Sequence, residues 1–397
     1  MAAASTLTTL AYIFKRKYLD DEVTDSVQRD HPFMNMVPKR DKFVGDHQAY
    51  AIHYGDPQGI SGTFANALAN ASSSKGKQPL VYRTTKYGVV TISAEAMRAS
   101  TSGGAFVDAV TKETDRIIRA MGNNLAFDLY RDGTGVRGRR SSLAGNVVTL
   151  TVADDARNFH VGMTVTSDDS AAGLTPNVGT TTVTAVSLSA GTVTLANAGA
   201  MAGFANNDYL FRDGDPGTCM EGLALCTPLT APSSGESFRG IDRSSYEELL
   251  AGVRINDTGA PIEENIGLAA VRVNQSGLKI EKAFLNPINF YQVARRQNAK
   301  VEMAPGGTAT MGFESLVYQT AAGAVRFVSD PDCPTNRFYC TRNDSHFLWH
   351  LDGLTHIVRD DGNVSLRQAS ADGIEIRARF WGNYVQPEPG CFAVGAI

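Results

Sequence analysis

Cys333, Cys340, His346 and His350 carry thiols and imidazoles within one short stretch, and such groups hold zinc when they converge on a tetrahedron. The spacing argues against it. Paired cysteines of structural zinc sites stand about two to four residues apart, whereas here six residues separate them. His346 and His350 alternate with Phe347, Trp349 and Leu351 in a strand-like run, which gives them a structural role. Ser72-Ser73-Ser74-Lys75 has the form of a serine nucleophile with a lysine base. It lies in a low-complexity loop and lacks the companion Ser-Asp-Asn and Lys-Thr-Gly elements. Phosphate-cradling, nucleophile-elbow, zincin and dinucleotide fingerprints are absent. The reading is therefore of a protein that is not an enzyme, with no catalytic residue, no cofactor and no metal. Arg131, Arg137, Arg139 and Arg140 form a basic cluster without interleaved aromatics, which favours a solvated or intersubunit role over base recognition.

Composition narrows the classes further. A chain of 397 residues predicts two or three compact units, and a hydrophobic content of 43% supplies a core. The 37 basic and 41 acidic side chains leave a net charge of -4, so no global electrostatic case exists for gripping nucleic acid. No apolar run approaches the roughly 18 residues of a membrane span, and no basic segment leads into an apolar secretory core. A soluble, cytoplasmically folded chain with no membrane partner is expected. The five cysteines are odd in number and sparse, so they read as small buried hydrophobes.

The elements that would position these residues follow from patterning. Residues 1–42 are polar, with isolated apolar positions such as Leu10, Ile13, Phe14, Phe33 and Met36, and read as an arm that orders across a neighbour's surface. Phe43 to Tyr54 and Leu80 to Ile92 are strand-like limbs flanking a Gly, Ala, Asn and Ser loop. Each limb, at about 3.3 Å per residue, would reach about 40 Å and overhang its own domain. From Gly103 to Arg131 the period turns helical, with Phe106, Val110, Ile117, Met121, Leu125 and Leu129 on one stripe. Short Val/Thr runs from Asn146 to Phe211 predict a small all-β module whose two ends lie in turns. Ser244-Ser245 open an N-capped helix carrying Tyr246, Leu249, Leu250 and Val253, and Ile262 to Gln275 reads as another. A strand then ends at Asn286-Pro287, where Asn286 can cap a helix that buries Phe290, Val293 and Ala294. His356 to Arg359 and Val364 to Gln368 flank an Asp-Gly turn and predict a hairpin. Gly373 to Trp381 alternates with period two, setting Ile374, Ile376, Ala378 and Phe380 against Glu375, Arg377 and Arg379.

LKIEKAFLNPINFYQVARRQ, residues 278–297, resembles the A-domain of tailed-bacteriophage major capsid proteins. There a helix precedes the strand, the strand ends in Asn-Pro plus an aromatic, and a Gly-x-Val strand such as Gly323 to Val328 follows. The order of elements resembles that family too. It implies an α+β chain with the Hong Kong phage-type major capsid fold plus a small all-β insertion domain. The implied organisation is an N-terminal arm at 1–42, an E-loop hairpin at 43–92 and a P-domain spine helix at 93–145. The insertion follows at 146–212, a connection at 213–243, the A-domain at 244–350, P-domain strands at 351–386 and a final A-domain strand at 387–397.

The function that this resemblance implies is geometric: hexamers and pentamers of a tailed double-stranded DNA phage close an icosahedral shell around the genome. The implied assembly contacts are Phe14 and Phe33 on the arm, Ile60, Phe64, Lys75 and Lys77 on the E-loop, and Asp361 and Asn363 in the late hairpin. Partners would be copies of the chain, with scaffolding, portal and decoration proteins and weak nonspecific contact with packaged DNA. The location would be the virion, after assembly in the host cytoplasm. Some relatives crosslink an E-loop lysine to an asparagine beside a glutamate base, and no glutamate here matches that role. No heptad pattern precedes the arm, so the chain is expected to enter the shell uncleaved, with any scaffold acting in trans. An encapsulin-type compartment shares the implied fold. An adhesin or fibre would need neither the long helix nor the overhanging hairpin.

Overall fold

The computed structural model describes residues 31–41, 43–96, 109–173, 175–297, 316–351, 356–357, 366–368 and 372–397. Its frame is the strand Gly373–Val385, which pairs antiparallel along one edge with Thr84–Ser93, from Gly373 opposite Ser93 to Gly382 opposite Thr84. Its other edge takes Phe347–His350, His356–Ile357 and Leu366–Arg367 in turn, and Lys39–Asp41 adds in parallel beyond Phe347–His350. The predicted alternation is what lets one strand serve two faces. Ile376, Ala378 and Phe380 are buried, while Arg377 is exposed.

The long helix, Ala109–Asp128, lies against this sheet and buries Met121 and Leu125, with Leu129 and Tyr130 continuing the contact just beyond it. Gly88 makes that approach possible. A Cβ there would stand 2.9 Å from Ile117, so the strand must be bare where the helix crosses. Phe106 lies outside the described residues.

A second sheet runs in the order Val253–Ile255, Ala393–Ala396, Arg337–Thr341, Lys282–Leu285, Gly323–Ser329 and Leu316–Thr320. The helices Ile262–Gln275 and Pro287–Gln297 cover it through Ile266, Ala269, Val273, Phe290 and Val293. Asn286 caps as its sequence position implies: its Oδ1 accepts from the Ile288 N–H at 3.2 Å, and its Nδ2 donates to the Cys333 carbonyl at 2.9 Å. The helix expected after Ser244 is shorter than its pattern suggested. Ser244–Tyr246 makes one 3₁₀ turn, Glu247–Leu250 one α turn, and Val253 already belongs to a strand. Both serine hydroxyls donate to the Asp242 carboxylate instead of capping. Gly252, at φ +71°, then turns the chain where a Cβ would meet Thr227 at 2.5 Å.

Six strands between Val136 and Arg212 close into a barrel around Val148, Leu150, Phe159, Val165, Val183, Val193, Leu195 and Leu210. Its first strand, Val136–Ala144, precedes the expected start at Asn146, because its arginines hid a strand inside a basic cluster. Val136 stands opposite Phe211, so the barrel's two ends are neighbours. Residues 136–212 expressed alone should therefore fold, giving a β-type circular dichroism spectrum and a cooperative melt. A disordered spectrum would show that the barrel depends on the rest of the chain.

Two other expectations change. The long hairpin limbs are broken: His47–Ala49 pairs with Leu80–Tyr82 and Ile52–Gly55 with Lys75–Lys77, while Thr84–Ser93 has left the hairpin for the central sheet. The loop between holds a helix, Phe64–Ala69. The strands around the Asp-Gly turn are each paired with Gly373–Val385, and the turn itself lies outside the described residues.

The arm's last segment is core. Phe33 is 1% exposed, with its ring 4.9 Å from Phe284 and 5.1 Å from Tyr130, and Met34 and Val37 are buried beside it. This corrects the reading of Phe33 as a neighbour contact. Pro32 starts a short helix, Pro32–Met36, and the Phe33 N–H donates to Asp330 at 2.9 Å, which fixes the ring inward. Met36 packs partly buried against the same core.

His346 sits in this cluster between Phe33, Tyr384 and Phe392, with its Nδ1 buried and without a hydrogen-bond partner. Burial, and then the Lys282 charge, lowers its pKa from 6.5 to about 4. The unfolded chain takes up this proton below pH 6.5 and the folded one only near pH 4, so stability is full above that window and is lost as pH falls through it. Replacing His346→Phe should shrink the difference in urea-unfolding free energy between about pH 8 and about pH 5 by about 2 kcal/mol. An unchanged difference would show that another group carries the acid sensitivity. No helix among the described residues is long and apolar enough to cross a membrane.

Candidate assembly surfaces

The hairpin tip presents apolar side chains to solvent, and no described residue of the subunit buries them. Ile60 is 89% exposed, Phe64 83% and Leu68 65%. Phe64 and Leu68 stand one turn apart on the Phe64–Ala69 helix, so they form one stripe, and no residue of that helix is buried. An isolated helix of this length has no stability of its own in water. Local bonds hold it in place: the Ala67 N–H donates to the Thr63 carbonyl, and the Gln58 N–H donates to the Ser72 hydroxyl at 3.0 Å. Ser72 thus serves the loop's geometry.

Lys75 and Lys77 are exposed in the strand behind the tip, and Lys77 Nζ donates to the Gly240 carbonyl at 3.3 Å. That contact ties the base of the hairpin to its own subunit while leaving the tip outward. Phe14, Asp361 and Asn363 lie outside the described residues. Leu68 was missed by sequence reasoning, although its spacing from Phe64 was visible. A second exposed patch was missed as well: Tyr87, 63% exposed, and Val89, 52%, point the same way from the edge of the central sheet. Tyr87 lies beside Trp381, which donates from Nε1 to its hydroxyl at 3.3 Å, and Arg379 covers the indole at 4.2 Å.

Beneath the long helix, an ion network joins the sheet to the barrel. Lys86 Nζ is 2.8 Å from Asp128 and 3.4 Å from Asp215, and Arg137 reaches Asp215 at 3.4 Å. Burial pulls the Lys86 pKa down, but Asp128, Cys219 and Asp215 outweigh it and hold the ammonium charged. Burial pushes the Cys219 thiol up to about 12, which makes it a poor nucleophile. Among the described residues no three His, Cys, Asp or Glu side chains gather as a metal site, and Cys333 instead donates its thiol to the Phe284 carbonyl at 3.6 Å.

The fold is similar to that of a solved structure. The capsid asymmetric unit of cyanophage A-1(L) superposes with a TM-score of 0.56 at 11% identity, covering 96% of each chain. The chain has the major capsid protein fold of tailed phages. The capsid of Myoviridae phage XM1 aligns at a TM-score of 0.49 and 7% identity, again over 96% of each chain. The SrpI encapsulin of Synechococcus elongatus PCC 7942 does so at 0.47 and 7%, covering 94% of this chain and 91% of that one. No family model and no curated protein matches the sequence.

Proposed function

We propose that this chain is the major capsid protein of a tailed double-stranded DNA bacteriophage, forming the hexamers and pentamers of an icosahedral shell. The observation that carries this reading is the hairpin tip: a capsid fold covering 96% of the chain projects Ile60, Phe64 and Leu68 into solvent, where no described residue of the subunit buries them. In this reading the hairpin is the E-loop, the helix Ala109–Asp128 the spine and the six-stranded barrel the insertion domain. The sheet with Lys282–Leu285 at its middle is then the A-domain. Ile60, Phe64, Leu68, Lys75 and Lys77 meet a neighbouring copy, with Phe14, Asp361 and Asn363 as further contacts. The role is geometric rather than catalytic and needs no cofactor. Scaffolding, portal and decoration proteins and weakly held DNA are the remaining partners, and the virion, built in the host cytoplasm, is the location.

Purified protein should sediment as large particles, and negative-stain micrographs should show closed shells of uniform diameter. Fibres, or dispersed small oligomers at every concentration, would overturn the reading. Shells that form in cells around specific host proteins and exclude nucleic acid would replace it with a compartment function.

A further inference from the structure

Between the long helix and the barrel lies a cleft of about 500 Å³ that the assembly reading does not use. Arg116 and Arg119 line it from the helix, Arg157 and His160 from the barrel's 3₁₀ segment and the turn after it, and Arg137 and Arg212 from barrel strands. Asp332 is the one carboxylate among the described lining residues, and it is already engaged by His31 at 2.5 Å. Arg137 meets Asp215 at 3.4 Å and Arg157 meets Asp154 at 3.7 Å, each through one terminal nitrogen, and Arg137 also donates to the Asn124 side-chain oxygen at 2.7 Å and to the Asn158 carbonyl at 3.2 Å. Arg137 keeps its Nε buried without a partner, and among the described residues the Arg212 guanidinium has no hydrogen bond or ion pair. Burial and the neighbouring Arg137 charge lower the Arg212 pKa, with Asp215 and Asp128 pulling the other way.

We propose that this cleft binds phosphate groups. Guanidinium forks match both carboxylate and phosphate oxygens. The direction of approach selects between them, because a planar carboxylate takes donors in its own plane, whereas here they arrive from a helix, a 3₁₀ segment with its following turn, and two strands. A tetrahedral oxyanion can accept from all of these sides. The volume falls within the range of small-ligand sites, about 300 to 1,000 Å³. Free phosphate and the phosphodiester backbone of a polynucleotide share this chemistry. The proposal concerns the subunit and stands whether or not the chain builds shells.

The test uses the full chain and titrates it with inorganic orthophosphate and tripolyphosphate against sodium chloride at equal ionic strength, by calorimetry and thermal melting. Saturable binding and a rise in melting temperature beyond that of chloride are expected. Arg119→Gln with Arg157→Gln should weaken tripolyphosphate binding at least tenfold, while Arg367→Gln, exposed and remote from the cleft, should leave it unchanged. Should the double variant misfold, Arg212→Gln removes a cleft charge without orphaning a hydrogen-bond partner, and the same loss is expected. A short DNA duplex that displaces tripolyphosphate would identify a polynucleotide as the source, and failure to displace it would identify the free anion. Phosphate behaving as chloride does, or cleft variants that bind as the native chain does, would overturn the proposal.

Discussion

Replacing Leu125→Asp should abolish folding. Leu125 is fully buried, on the face of the long helix that meets Gly373–Val385 and the aromatic cluster around Phe33 and Tyr130. Removing the leucine side chain alone would cost about 2–5 kcal/mol through lost transfer energy and the cavity left behind. Placing a carboxylate there adds several kcal/mol, because Lys86, the charged lysine on the adjoining strand, is already committed to Asp128 and Asp215. The sum is comparable to the whole stability of a domain, about 5–15 kcal/mol. Expression in inclusion bodies, or a soluble product without a cooperative melt, is expected. Leu125→Met, which keeps the volume, should cost less than about 1.5 kcal/mol and remain soluble. A folded aspartate variant melting near the native temperature would mean that the helix faces the sheet through other residues.

The long helix and the Asn286 cap were legible because each is written locally, in a periodic stripe and a capping residue next to a proline. The strand Gly373–Val385 was legible through its alternation, although its partners were not. Strand pairing is a long-range choice, and nothing in Thr84–Ser93 says whether it continues a hairpin or joins a sheet closed by residues near the C-terminus. Gly88 was the available clue, since a bare position amid Tyr and Val marks a close approach. Phe33 was misread for a related reason. One aromatic in a polar segment looks unanchored until Asp330, far along the chain, takes its N–H. The barrel's first strand was hidden by Arg137, Arg139 and Arg140, whose guanidinium groups lie over the rings of Phe127, Tyr209 and Phe204 and also donate to polar partners. The span between the hairpin limbs was read as a loop, and the helix Phe64–Ala69 and the strand Lys75–Lys77 within it were not foreseen, because Phe64 and Leu68 are too few to establish a period.

The double substitution Phe64→Asp with Leu68→Asp should leave the subunit intact and stop it assembling. Neither side chain touches the subunit's own core, and the helix they sit on buries nothing, so the monomer's melting temperature should shift by no more than a degree or two. In a shell each would be covered by a neighbour, and burying a Phe or Leu contributes about 1.5–3 kcal/mol. Two such losses at every contact, with two new charges to desolvate, amount to more than about 3 kcal/mol, or over 100-fold in the concentration needed for assembly. The substitutions test the tip more cleanly than a deletion reaching Lys77. Such a deletion would also remove the strand Lys75–Lys77, which pairs with Ile52–Gly55 and anchors to Gly240. Light scattering against protein concentration gives the onset for each chain, and circular dichroism checks the fold. Particles forming at the native concentration would show that this apolar stripe remains in solvent after assembly, and the contact between copies would have to be sought at Tyr87 and Val89 instead.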